Sequence, residues 1–266
     1  MRHPDRREGD NALQSGSNER DTADALEEVI GSLIMMAPQV PRRSFSQGDA
    51  PSPTSIVTDS MLALVDAFFN TLYPLPSYAF IHPGTAKRQC RDGQMNRALA
   101  SGICAITSLH LGYHHSAATR WIQDTEQNIW MHLEHPNVPR LQALLLVIYY
   151  RMETGNLQRA FMLTANAARF AAAMRLNHER PELDLIAQET RRRIVWSLKI
   201  IERYFSVGLP EFELCPTEAI YLSYPSSEEE YSGDAGGERG AHGLHIRLEV
   251  VRRDIMKLTR SLAIVD

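Results

Sequence analysis

From Thr58 onward apolar residues return every three to four positions, the spacing of one face of a helix. The run DSMLALVDAFFNTLYP predicts a helix that starts after an Asp59 or Ser60 cap and stops at Pro74. PLPSYAFIHPG, with prolines every few residues, reads as an extended connection. GQMNRALASGICAITSLHLGY reads as a helix whose small residues permit close packing. SAATRWIQDTEQNIWMHLEH is amphipathic, with Trp121, Ile122, Ile129 and Trp130 as inward candidates. PRLQALLLVIYYRMET is apolar nearly all round, which predicts burial, and Gly155-Asn156 breaks it. LQRAFMLTANAARFAAAMRLN then follows as an antiparallel neighbour with an Ala-rich packing face. A further long helix is predicted from near Pro181 to Gly208, and LCPTEAIYLSYP reads as a loop or short extended segment. In the last segment Leu244, Leu248, Val251, Ile255, Leu258 and Leu262 alternate steps of four and three, a helical seam. Packing within the chain is the expectation for this seam, ahead of dimerisation. It runs nearly to Asp266, which suggests that more chain would pack beyond it. No strand alternation of useful length occurs, so the fold class is all-α, an irregular multi-helix domain.

These patterns divide the chain. Residues 1–57 read as a mostly disordered arm rich in polar residues, Pro and Ser, with one short amphipathic helix at about 22–37 carrying Leu26, Val29, Ile30, Leu33 and Ile34. Residues 58–225 form the helical domain, 226–243 a flexible acidic, Gly-rich linker, and 244–266 a C-terminal helix of the same domain. Over 266 residues, 44% hydrophobic and 23% charged positions suffice for a sizeable core. A net charge of -4 argues against a chain built as a whole to bind nucleic acid or an anionic membrane. The N-terminus has no secretory signal, and the longest apolar run, ALLLVIYY, is too short to span a membrane. Cys90, Cys104 and Cys215 are isolated and odd in number, which fits a reducing intracellular compartment and implies no disulfide framework or zinc site.

Catalytic signatures are missing: no G-x-S-x-G, no P-loop, and no dinucleotide-binding glycine motif after a strand. His110 and His114 stand four apart on one helix face, but Leu111 occupies the glutamate place of H-E-x-x-H, and surface or capping roles are favoured. The most unusual stretch is ETRRRIVWSLKIIERYFSVGLP, Glu189 to Pro210. On a helix Arg191, Arg192 and Arg193 point about 100° apart and cannot form one flat phosphate-gripping face. Glu189 stands three residues before Arg192 and four before Arg193, so intrahelical ion pairs are available. The apolar residues Ile194, Val195, Trp196, Leu198, Ile200 and Ile201 cover most of the helix circumference that follows. An internal brace is therefore expected rather than a DNA grip. Glu202 and Arg203 are expected to join the same internal polar network, since an unpaired buried charge is expensive.

These residues resemble the signature of the fungal-specific transcription factor domain, the middle homology region of fungal zinc-cluster regulators. The matching elements are Glu189, Arg191, Arg192, Arg193, Trp196, Glu202, Arg203, Gly208 and Pro210. Glu202 replaces the usual aspartate, and Val195 stands where a second tryptophan is common. Upstream, LQALLLVIYYRMETGNLQRAFMLTANAARFAAAMRLNHE is similar to the family's Gln-Ala-Leu, Thr-Gly-Asn and Ala-Arg run, without the glycine of its closing Leu-Gly-Leu-His. Downstream, PTEAIYLSYP resembles the family's acidic-apolar segment, with Tyr224 in place of leucine. The match covers about residues 60 to 262.

The resemblance implies a regulatory domain of a nuclear transcription factor with no catalytic, metal or DNA-binding residue in this chain. Zinc enters only by family, in an N-terminal six-cysteine cluster that these cysteines, 14 and 111 positions apart, cannot form. DNA would be met only through that cluster, whether lost from the gene as read or truly absent. The implied partners are proteins of the transcription machinery, with a small effector and a homodimer also open, and no membrane. A helical-repeat peptide scaffold is the alternative, because Gly155, Leu157, Ala160 and Ala167 sit at tetratricopeptide-like offsets. Against it, Thr164 stands where an aromatic belongs, and no copy recurs about 34 residues away. An enzyme ranks last, since no nucleophile–base pair is readable.

Overall fold

The computed structural model describes residues 53–112, 115–206, 213–232 and 242–263. The helix expected at about 22–37, His114, Gly208 and Pro210 lie outside the described residues. Among those described, nine α-helices follow one another and no strand forms. They are α1 (Pro53–Thr71), α2 (Pro83–Arg91), α3 (Arg97–Leu111), α4 (His115–Met131), α5 (Val138–Glu153), α6 (Leu157–Ala173), α7 (Leu185–Ser206), α8 (Glu228–Ser232) and α9 (His242–Ala263). The fold is all-α.

Local chemistry sets the boundaries. Asn96 and Asn137 accept from the Leu99 and Arg140 amides and so cap α3 and α5. Asp184 caps α7 through the Ala187 amide, so this helix starts at Leu185, later than the predicted Pro181. Gly112 ends α3 in the left-handed region at φ 69°, a conformation that side chains with a Cβ resist.

The centre is α5. Every residue from Leu141 to Tyr150 is buried, matching its all-round apolar sequence. It packs against α3, α4, α6 and α7, while α1 lies on α3. A Cβ on Gly102 would sit 3.4 Å from Leu146, so the glycine admits the close approach of α3 to α5. Phe68, Leu72, Phe80, Ile103, Ile106 and Ile122 complete the deepest core.

Further expectations change. First, α1 begins at Pro53, ahead of the predicted cap at Asp59 or Ser60. Second, the supposed extended connection after Thr71 winds through a 3-10 turn, Pro76–Tyr78, and buries Tyr78, Phe80 and Ile81 beneath the other helices. Third, Trp130 is 37% exposed, so of the four candidates α4 turns in Ile122 and Ile129 fully and packs Trp121 half-buried against the core. Fourth, part of the expected linker is ordered: α8 forms within it, and its Tyr231 is buried.

The seam of α9 departs furthest. All six of its apolar residues face outward, between 55% and 62% exposed. The opposite face, with His242, Ile246 and Arg253, is the buried one. Polar anchors on that face set the rotation of the helix, as the contacts of α7 make clear.

Candidate functional site

Helix α7 carries the signature residues, and its second half is buried on every side from Arg193 to Glu202. No groove-facing surface remains along that stretch. The charged residues turn instead to other parts of the same domain, above all the strap of residues 213–232 that runs along α7.

The three arginines take three directions. Arg191 donates to the carbonyls of Met174 (3.3 Å) and Arg175 (3.1 Å), which satisfies the open C-terminal end of α6. Arg192 forms a forked pair with Glu179 at 2.8 and 3.0 Å and reaches Glu189 at 3.4 Å. Glu179 also accepts the Ser223 amide at 3.0 Å, which ties the strap to this pair.

Arg193 is wholly buried and gathers distant segments. Its Nε donates to Glu189 at 2.9 Å, and Nη1 donates to the Ala79 carbonyl at 3.0 Å and to Glu228 at 2.7 Å. Nη2 donates to the Ser226 carbonyl at 3.2 Å, and the guanidinium lies 4.0 Å from the centre of the Tyr231 ring. Tyr73 donates to Glu228, and the Ser226 amide donates to Glu189. Burial alone would lower the Arg193 pKa, but the Glu228 carboxylate, aided by Glu189, raises it above the usual guanidinium value. Two carboxylates, two carbonyls and an aromatic face thus hold one cation at the joint of α7, the Ala79 turn and the strap. Trp196 continues the seam of contacts by donating to the Ser223 carbonyl at 3.0 Å and stacking on Tyr224.

Glu202 and Arg203 form a second cluster, and here the structure corrects the expectation of a single network. Glu202 accepts from the Leu214 amide, from the Cys215 amide at 2.8 Å and from Lys199 at 2.9 Å. Lys199 also faces Glu213 at 3.3 Å, and Arg253 of α9 grips Glu213 with two bonds of 2.7 Å. Arg203 does not pair with Glu202; it bonds the carboxylate and the carbonyl of Glu249 on α9. Burial lowers the Arg203 pKa to about 10, with the Arg252 charge adding to the effect. Burial would raise the Glu213 carboxyl, but Arg253 and Lys199 hold it below the usual range.

Glu179, Glu213, Glu228, Tyr231, Glu249 and Arg253 carry as much of this arrangement as the signature itself, and sequence reading singled out none of them as partners. The one local hint is a tyrosine inside the acidic run SSEEEYSG. His110, the other candidate, pairs with Glu153 at 2.7 Å. Among the described residues no group of three His, Cys, Asp or Glu side chains is placed to hold a metal, and no helix is long and apolar enough to cross a membrane. Cys90 lies on α2, Cys104 on α3 and Cys215 in the strap. These three cannot supply a six-cysteine zinc cluster.

His242 adds a titratable latch at the start of α9. It bonds the Pro76 carbonyl at 2.8 Å, and burial, with Arg193 adding, lowers its pKa to about 3. The unfolded histidine takes its proton near pH 6.5, so the unfolded state binds more protons between there and about pH 3. Stability is therefore expected to fall as pH drops below about 6.5. The His242→Gln variant should flatten that slope between pH 6.5 and 5, where carboxylates stay ionised, in urea titrations at successive pH values. An unchanged slope would place the acid sensitivity elsewhere.

The geometry describes an internal clamp, and comparison with known proteins places it in a family. Residues 65–242 match the fungal specific transcription factor domain, and the chain belongs to that family. Over 185 residues the chain is 25% identical to the Zn(2)-C6 fungal-type transcription factor FTF1c of Fusarium oxysporum, covering 62% of this chain and 20% of the relative. It is 24% identical over 181 residues to FTF1a of the same fungus, covering 61% of this chain and 17% of the relative. An uncharacterized transcriptional regulatory protein of Schizosaccharomyces pombe is 22% identical over 163 residues, covering 54% of this chain and 17% of the relative. The chain thus spans about a fifth of the length of these relatives. No solved structure matches it.

Proposed function

We propose that this chain is the regulatory domain of a nuclear fungal transcription regulator and acts through protein contacts, without catalysis and without gripping DNA through its arginines. Family membership supports the transcriptional role. The observation that carries the second half is the inward engagement of Arg191, Arg192 and Arg193, whose hydrogen bonds go to Met174, Arg175, Glu179, Glu189, Ala79, Ser226 and Glu228. Cations committed in this way cannot release phosphate counterions. DNA reading would belong to a six-cysteine zinc cluster that the three cysteines of this chain cannot form, with zinc as its metal. A small effector and a homodimer remain within this proposal as partners.

Tethering the chain to an unrelated DNA-binding module upstream of a reporter tests the role. A change in reporter output, in either direction, is expected relative to the module alone, with a fluorescent fusion concentrated in the nucleus. The chain alone should give no duplex DNA mobility shift at physiological salt. An unaltered reporter would sink the regulatory role, and a specific shift by the chain alone would sink the view of the arginines. The helical-scaffold reading has one observation in its favour: the α3–α4 and α5–α6 hairpins pack side by side. It predicts peptide capture with no effect on the reporter.

A further inference from the structure

Helix α9 is 22 residues long, about 33 Å at 1.5 Å per residue. Its inward face is spoken for by His242, Ile246 and Arg253. Its outward face presents Leu244, Leu248, Val251, Ile255, Leu258 and Leu262 in one stripe, each more than half exposed. Large apolar side chains scattered over a surface need no explanation, but six in one heptad register form a contiguous patch of the kind that marks an interface.

Charge decides what fits the stripe. With these residues at the two core positions of a heptad, the flanking positions hold His245, Arg252 and Thr259 on one side and Arg247, Asp254 and Ser261 on the other. Arg247, Arg252 and Asp254 are all exposed. Arg247 rests 5.5 Å from the Tyr224 ring, and among the described residues no ion pair holds it. Among the described residues Arg252 has only a long contact of 3.8 Å to Glu249, and Asp254 already faces the Arg253 guanidinium at 3.5 Å. The border of the stripe is therefore net cationic.

A second copy of the chain meets this border badly. Two parallel α9 helices in register put Arg247 of one beside Arg252 of the other, on both flanks. The antiparallel arrangement that pairs every layer sets Leu244 against Leu262, Leu248 against Leu258 and Val251 against Ile255. It also sets Arg252 against its own copy and Asp254 against its own copy, because a two-fold interface repeats each contact. Like charges directly opposed suppress both arrangements.

We propose that the outward face of α9 docks an amphipathic helix of a partner protein, one whose apolar heptad stripe is bordered by carboxylates that meet Arg247 and Arg252. The surface goes beyond the transcriptional reading and stands apart from it.

The test uses the full chain and two synthetic three-heptad peptides with the same Leu/Ile stripe, flanked in one by glutamates and in the other by lysines. Fluorescence anisotropy should show the acidic peptide binding one to one and about tenfold tighter than the basic one, with the gap closing at high salt. The variant Leu248→Glu with Ile255→Glu should lose the binding. Its thermal melt should match the parent, since both side chains are solvent-exposed. Arg247→Glu with Arg252→Glu should reverse the preference between peptides. No binding by either peptide, or equal binding by both, overturns the proposal. So does sedimentation equilibrium that finds the unaltered chain dimeric and the Leu248→Glu, Ile255→Glu variant monomeric, since a second copy would then be the occupant.

Discussion

Replacing Arg193 with alanine is expected to cost about 3–5 kcal/mol of stability, the range for removing one member of a buried ionic group. The reason lies less in the bonds lost than in what stays behind. Glu189 and Glu228 would lose their shared cation while their side chains stay only 5% and 15% exposed. The Ala79 and Ser226 carbonyls would lose their donor in the same place. Small domains hold only about 5–15 kcal/mol in total, so the variant should unfold at much lower urea concentration, measured by circular dichroism. Arg193→Met separates charge from volume, because it refills the space and still strands the carboxylates; it should be nearly as unstable as the alanine variant. Adding Glu189→Gln and Glu228→Gln to Arg193→Met should recover part of the loss, a coupling that only contacting residues show. Arg192→Ala, at a partly exposed pair, should cost about 1 kcal/mol or less. A loss below about 1 kcal/mol for Arg193→Ala would show that the guanidinium does not hold α7, the Ala79 turn and the strap together.

That contrast explains how much could be read from the chain. Helices α3, α5 and α6 were legible because their cores are repeated apolar positions within one segment, where periodicity and burial have the same cause. Arg192 and Arg193 were legible as far as Glu189, three and four residues back on the same helix. Beyond that distance local signals stop. Arg193 is joined to Glu228 across 35 residues and to Ala79 across 114, and no spacing rule connects such positions. Composition misled for the same reason: SSEEEYSG has the look of a solvated linker, yet Glu228 and Tyr231 are the partners that a buried arginine requires. Helix α2 escaped because only Ala86 and Cys90 on it are buried, too few for a stripe. The α9 seam shows the opposite failure. Its period was plain, but period fixes which residues share a face, not which way the face points. Burial of Arg253 and His242 on the other side fixed that.

Arg253→Leu is expected to release α9 from the domain, at a cost of about 3 kcal/mol. Apolar burial cannot hold this helix alone, because Ile246 is its one fully buried hydrophobic residue among those described and Val250 only packs partly beside it. The remaining anchors are polar: Arg253 on Glu213, Arg203 on Glu249, and His242 on the Pro76 carbonyl. At the buried cluster Lys199 and Arg253 balance Glu202 and Glu213, two charges against two. Without Arg253, Lys199 faces two carboxylates that are each only 3% exposed, and one charge is left over. Opening the helix lets water reach Glu213 and relieves that excess, which is cheaper than unfolding everything. Hydrogen exchange should therefore rise through His242–Ala263 while amides of Val138–Glu153 keep their protection. Trp196 fluorescence should shift as well, because that ring packs against Ile246. Arg253→Leu combined with Glu213→Leu should restore protection in α9, since an apolar pair leaves no unmatched charge between the helices. If α9 stayed protected in Arg253→Leu, then Ile246 and Val250 together with the Arg203–Glu249 and His242–Pro76 contacts would suffice to hold it. The outward seam would then owe its orientation to those contacts rather than to the Arg253–Glu213 pair.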